Sequence, residues 1–234
     1  MSLNPVDSVP GFRRRFRITP KPGCVLSEVE DDYHCMSVAI DHDGVVATHI
    51  HADLRRAPWT TCPGAPAQVE QTFAGVALQA FAKRGDKKAN CTHLYDLALL
   101  AAQHALDQEV LVYDILVSDP VEGRRVAELR RNGVVILGWK EQGGNITEPA
   151  ELSGLTVWTL NPWIESLSPE MQEAARVLRW CAVLAHGRMI PIEKQSDASR
   201  MPANCYTFQP ARAAMAQRIV DIRDFSTGAA RPLA

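Results

Sequence analysis

The sequence carries no C-x-x-C pair, no G-x-G-x-x-G turn and no Walker lysine, so zinc ribbons, dinucleotide folds and phosphate loops have no footing in it. No apolar run approaches the roughly 20 residues that span a bilayer, and the N-terminus lacks the order of a signal peptide. Charge of one sign is missing too. The formal net charge is −2, which gives no electrostatic basis for binding nucleic acid or an anionic membrane. Six cysteines in 234 residues, at 24, 35, 62, 91, 181 and 205, are too sparse for a disulfide scaffold. Reduced thiols in a cytoplasmic protein are therefore expected. The one basic run, Arg13-Arg14-Arg15, is flanked by Phe12, Phe16 and Ile18 and reads as an edge strand with a solvated face.

What is present is an ordinary globular chain, 46% hydrophobic and 22% charged, long enough to bury a substantial core. Residues 1–11 read as an N-terminal arm, 12–188 as one α+β domain and 189–234 as an irregular C-terminal extension broken by Pro191, Pro202, Pro210 and Pro232. Strands are expected at 12–18, 24–30, 33–40, 45–54, 110–117, 124–131 and 134–139, with a short one at 155–160. Asp41-His42-Asp43-Gly44 and Asn132-Gly133 are hairpin turns. Helices are expected at 66–82, at 92–106, from Pro169 after a Ser168 cap to about His186, and near 211–220. Hairpin connections argue for antiparallel meanders packed with a central pair of helices and a C-terminal helix, rather than a doubly wound sheet.

Two junctions concentrate chemistry-bearing residues. Ala57-Pro58-Trp59-Thr60-Thr61-Cys62-Pro63-Gly64-Ala65 runs from a strand into a helix, and Asn90-Cys91-Thr92-His93-Leu94-Tyr95-Asp96 opens another helix. Thr60, Thr61, Asn90 and Thr92 are candidate caps. A helix start lowers a thiol's pKa, which makes Cys62 and Cys91 candidates for reactive or ligating thiols, against an equally weighted reading as buried structural thiols. Strand alternation puts His34 on an apolar face with Met36, Val38 and Ile40, where a neutral imidazole is expected. His49 and His51 share the opposite, solvated face of the next strand.

The order Arg14-Arg15, Glu30-Asp31-Asp32-Tyr33-His34 and His42-Asp43-Gly44, followed by the two junction blocks, resembles the bacterial family known as domain of unknown function 2889. The resemblance spans about residues 12–188, and Trp180 departs from the arginine expected near the end of the last helix. It implies a setting in bacterial catabolism of lignin-derived aromatics, and a cofactor-independent lyase that cleaves a carbon–carbon bond of a phenolic dimer, with formaldehyde as a candidate product. On this reading His34 or His93 is the base, Asp32 or Asp96 orients it, and Tyr33 assists. Trp59, Thr61, Cys62, Cys91 and Tyr95 line an aromatic pocket, and Arg15 and Arg55 hold a phenolate or carboxylate. No metal and no cofactor is expected; the partner is a small aromatic substrate, with a homodimer as a candidate assembly.

Three other classes compete. The first is a thioesterase or acyl-transfer enzyme built on Cys62 or Cys91 with a histidine partner. The second is a zinc or redox module using Cys62, Cys91, His93 and His34. The third is a plain aromatic-binding protein.

Overall fold

The computed structural model describes residues 9–234. Most of the expected arm at 1–11 lies outside the described residues. The chain folds as α+β around one eight-stranded antiparallel sheet. Its strands are β1 (Gly11–Lys21), β2 (Cys24–Glu30), β3 (Cys35–His42), β4 (Ala47–Arg56), β5 (Leu111–Ser118), β6 (Arg124–Arg131), β7 (Val134–Gln142) and β8 (Asn145–Glu148). The spatial order is β4-β3-β2-β1-β5-β6-β7-β8. Two meanders, β1–β4 and β5–β8, thus start side by side at the centre and run outward in opposite directions.

The β1–β5 seam joins the halves, and it corrects the edge-strand expectation for the arginine run: β1 is central, with Arg13 and Arg14 buried. Gly11 is required at that seam, because a Cβ there would stand 2.5 Å from the Val117 carbonyl oxygen.

Alternation divides each strand between two faces. Phe12, Arg14, Phe16 and Ile18 of β1 face the same way as Val25 and Val29 of β2, Tyr113 and Ile115 of β5, and Leu129 and Trp139 further out. This face carries the main core and is covered by helices. Helix α1 (Ala65–Phe73) packs on β4, and α2 (Thr92–Gln103) lies over β1–β3. The short α3 (Asn161–Ser166) braces α4 (Pro169–Arg188), which crosses β1 and β5–β7.

Some elements differ from expectation. The helix expected over 66–82 ends at Phe73, because Gly75 takes a φ of +72° and a separate 3-10 segment follows at Leu78–Lys83. Residues 155–160 form turns closed by Thr156 and Thr159 instead of a strand. The helix expected near 211–220 is only α5 (Pro210–Ala213). Ser168 caps α4 by position, without a side-chain hydrogen bond.

The tail after α4 has little regular structure but many specific partners. Thr60 N–H donates to the Gln217 carbonyl and Ile219 N–H to the Pro58 carbonyl. Arg223 N–H donates to the Asp32 carbonyl, Leu233 N–H to Glu30 Oε2, and Arg13 to the Ser226 carbonyl. The last part of the tail, from Arg223 to Leu233, therefore runs along the face of β1 and β2 opposite the helices, where Arg13, Arg17 and Glu30 point. Tyr206 and Thr207 lie instead beside Asn90 and Cys62.

Candidate active site

The site forms where α2 and α4 pass over the central strands. The turn between β2 and β3 is organised by Asp31, whose Oδ1 accepts the Tyr33 and His34 N–H groups, each at 2.8 Å. The same carboxylate meets His34 Nδ1 at 3.0 Å and Arg14 Nη1 at 2.5 Å. Burial alone would raise the Asp31 pKa, but the adjacent His34, the Arg14 guanidinium and these hydrogen bonds outweigh it and bring it to about 2. A carboxylate can only accept, so the proton sits on His34 Nδ1. The imidazole is thereby fixed in orientation.

His93, in the first turn of α2, stacks on His34 with ring centroids 4.0 Å apart and an interplanar angle of 26°. Trp180 of α4 meets the His93 ring edge-on at 5.7 Å. Burial, then the nearby His34, Arg14 and Lys87 side chains, push the His93 pKa well below the ordinary value. It is neutral at physiological pH, and its buried Nε2 has no hydrogen-bond partner. An orphaned polar atom is uncommon in a protein interior and marks a place where a ligand atom would be accommodated.

His93 lines a cavity of about 380 Å³ between α2, α3 and α4, floored by Arg14 and Phe16 of β1. Its middle is apolar, from Leu99, Leu100, Ile164 and Val177, and Trp180 and Lys87 stand near His93. Lys87 lies 5.0 Å above the Trp180 ring and binds Asp96 at 2.6 Å. This apolar patch is ringed by polar and charged side chains, among them Asn161, Glu165, Arg176 and Arg179, and a cavity of this volume suits a small organic ligand.

Of the remaining sequence candidates, Asp96 lines the cavity and the others fall elsewhere. Asp32 does not orient a histidine; it binds Arg188 at 2.5 Å and accepts the Phe225 N–H at 3.2 Å. Burial, with Asp31 adding, raises its pKa to about 6 against the opposing pull of Phe225 N–H and Arg188. Asp96 serves Lys87 instead of His93. Tyr33 is half-buried and meets His34 edge-on at 6.4 Å, with Arg218 over its ring. Arg15 and Arg55 project from the opposite face of the sheet, Arg15 to Asp114 at 2.6 Å and Arg55 to Glu28 at 3.6 Å. Trp59 packs under Phe208 and Arg218, and Tyr95 donates to the Gly85 carbonyl at 2.7 Å; neither lines the cavity. Thr61 reaches Thr207 rather than capping a helix.

The thiols differ most from expectation. Cys91, rather than Asn90 or Thr92, holds the N-cap position of α2. Asn90 is instead tied to Thr72, Asp86 and Tyr206. Burial raises the Cys91 pKa to about 12 although the Leu94 and His93 amides pull the other way. Cys62, buried against Thr207, is raised as well. Desolvation therefore exceeds the helix-start effect, and the low-pKa nucleophile reading loses its basis. All six cysteines are free. Among the described residues, no three His, Cys, Asp or Glu side chains gather as a metal site, so Cys62, Cys91, His93 and His34 do not form the tetrahedral set expected of a zinc module. His49 and His51 are on the solvated face, as alternation indicated.

Sequence reasoning passed over Asp31 as the orienting acid, and over Arg14, Phe16, Lys87, Trp180 and Glu173 as lining residues. Arg14 had a readable signal, a charge on the Phe12-Phe16-Ile18 face of its strand.

The fold and site define an α+β protein with a buried histidine pair beside a partly open cavity of mixed apolar and charged lining. Neither family models nor curated proteins give a match to this chain. No helix among the described residues is long and apolar enough to cross a membrane.

Proposed function

We propose that the cavity is the active site of a cofactor-independent enzyme in which His93 moves a proton on a small aromatic substrate. The observation that carries this reading is the neutral, buried His93, with an unpartnered Nε2, lining a cavity next to the oriented Asp31–His34 pair. A base with a depressed pKa does not store a proton. It takes one as the transition state forms and returns it at once.

The reaction we assign is carbon–carbon lysis of a phenolic dimer bearing a hydroxymethyl group, in bacterial use of lignin-derived aromatics. The motif resemblance supplies the substrate class. Loss of water first gives a quinone methide, which is the electron sink: the hydroxide on the benzylic carbon para to the phenol leaves with its electron pair and takes up the phenol proton. His93 Nε2 then removes the proton from the primary hydroxyl, whose electron pair becomes the second C–O bond of formaldehyde. The adjacent carbon–carbon bond breaks, and its pair flows into the ring and restores the phenolate. No oxidant or reductant is consumed. Arg14, Lys87 and the Trp180 ring support this reading, because the cations suit a phenolate oxygen and the indole can pack on the substrate ring.

The test is formaldehyde trapping after incubation of the purified protein with hydroxymethyl-bearing phenolic dimers. His93→Ala should lower turnover by roughly two to four orders of magnitude, the usual worth of a general base. The reading fails if none of these dimers releases formaldehyde, or if His93→Ala and His34→Ala both fold and keep full turnover.

A further inference from the structure

The cavity does not end at the histidines. On α2 its lining runs from His93 through Asp96, Leu99 and Leu100 to Gln103, and on α4 from Trp180 through Val177 and Arg176 to Glu173. The helices are antiparallel here, since His93 meets Trp180 while His104, next to Gln103, meets Glu173. At 1.5 Å per residue, the ten steps from His93 to Gln103 make the groove about 15 Å long.

The far end is polar and built. Glu173 is 6% exposed. It accepts from Tyr113 Oη at 2.8 Å, and His104 Nε2 lies 3.0 Å from Oε1 and 3.1 Å from Oε2. His104 Nδ1 in turn meets Asp107 at 2.7 Å. Burial works against a proton on His104, but the Glu173 and Asp107 carboxylates prevail and raise its pKa. None of these four residues belongs to the histidine site. Glu173 nonetheless lines the same cavity.

We propose that Glu173 is the anchor of a second binding subsite, which takes a neutral hydroxyl donor at the end of the substrate remote from His93. The chemistry favours that donor. A carboxylate offers about four acceptor positions, and Tyr113 and His104 occupy only part of them. Both ring nitrogens of His104 face carboxylates, which can only accept, so His104 offers an N–H to Asp107 and to Glu173. With Arg176 lining the same end, a ligand ammonium meets competing donors and a nearby cation there. A hydroxyl gains a hydrogen bond to a charged acceptor in a buried site. The ligand is therefore long and two-headed: one polar end at His93, an apolar middle against Phe16, Leu99, Leu100, Ile164 and Val177, and a hydroxyl at Glu173. This assignment rests on the cavity being the active site, and it adds the recognition of the distal end.

Binding separates the two ideas, because it requires no turnover. The probes are 4,4′-dihydroxystilbene, with two hydroxyls, and 4-hydroxystilbene, with one, titrated into the full chain by calorimetry. The two-headed probe should bind wild-type protein about tenfold more tightly or better, which corresponds to at least 1.4 kcal/mol and fits a hydrogen bond to a charged group. Glu173→Gln, checked for folding by its melting curve, should remove most of that difference. Tyr113→Phe, a milder change, should reduce the difference without abolishing it. Equal binding of both probes by wild-type protein, no binding of either, or a difference that survives in folded Glu173→Gln would overturn the subsite. Should Glu173→Gln not fold, an undiminished difference in Tyr113→Phe would overturn it as well. Loss of catalysis in His93→Ala with intact probe discrimination would leave both ideas standing. Intact discrimination without formaldehyde release from any dimer would sink the reaction alone.

Discussion

Asp31 and Asp32 are neighbours in sequence, both with side chains at 0% exposure, yet neutralising them should have opposite consequences. Asp31 is held near a pKa of about 2, below its ordinary 3.8. The fold therefore prefers its ionised form, by roughly 2 kcal/mol. Asp31→Asn removes that preference and leaves the buried Arg14 guanidinium without its counter-charge; one-sided loss of a buried pair costs about 3–5 kcal/mol. Taking about 3 kcal/mol, a chain of this length should melt roughly 6–12 °C lower at pH 7.

Asp32 is the reverse case. Its pKa is raised to about 6, so the fold favours the protonated form. The stability this gives is fully present below about 3.8 and is lost as pH rises through 6. Asp32→Asn removes the penalty at pH 7, leaves Arg188 with Asp119 at 3.2 Å and Asp224 at 3.9 Å, and keeps an oxygen for the Phe225 amide. Its melting temperature at pH 7 should equal or exceed that of the wild type, with the advantage shrinking toward pH 4. The contribution of Asp31 runs the other way, present above about 3.8 and lost as pH falls through 2. Calorimetric melting of the three proteins between pH 4 and 8 is the assay. Equal destabilisation by both substitutions at pH 7 would refute the electrostatic assignment.

The thiols should be inert. Cys91, raised to about 12 by burial, should resist iodoacetamide at pH 8 in the native protein and react only after unfolding, and rapid native labelling at Cys91 would contradict that. Deleting residues 219–234 removes the Leu233 and Arg223 contacts to Glu30, together with the backbone bonds to Asp32 and Pro58. The shortened chain should melt several degrees lower, each lost hydrogen bond being worth roughly 1 kcal/mol, and an unchanged melting curve would show that the tail is not part of the fold's stability. Gly11→Ala should destabilise by roughly 1–3 kcal/mol through the clash with Val117 across the β1–β5 seam; a denaturation midpoint equal to wild type would mean that the seam yields freely.

Local pattern was enough for the strands, because a half-buried strand must alternate and its turns need special residues. Asn132, with φ of +47°, and Gly133, with φ of +83°, make the β6–β7 turn that their dipeptide announces. Alternation likewise set Met36 and Val38 inward and His49 and His51 outward, whereas His34 sits in the turn before β3 and is held inward by Asp31. Helical period placed His93 in the first turn of α2. What no local pattern contains is which strands become neighbours. Joining β1 to β5 turned Arg13-Arg14-Arg15 from an expected edge into the centre of the sheet and buried the guanidinium that holds Asp31. Tertiary packing alone stacked His34 on His93 and laid α4 beside α2, which brought Glu173, 80 residues further along the chain, into the same cavity as His93. It also decided the thiols. A helix start is a local feature that lowers a thiol's pKa, but the desolvation that overrides it at Cys91 comes from residues distant in sequence, and only the folded chain supplies them.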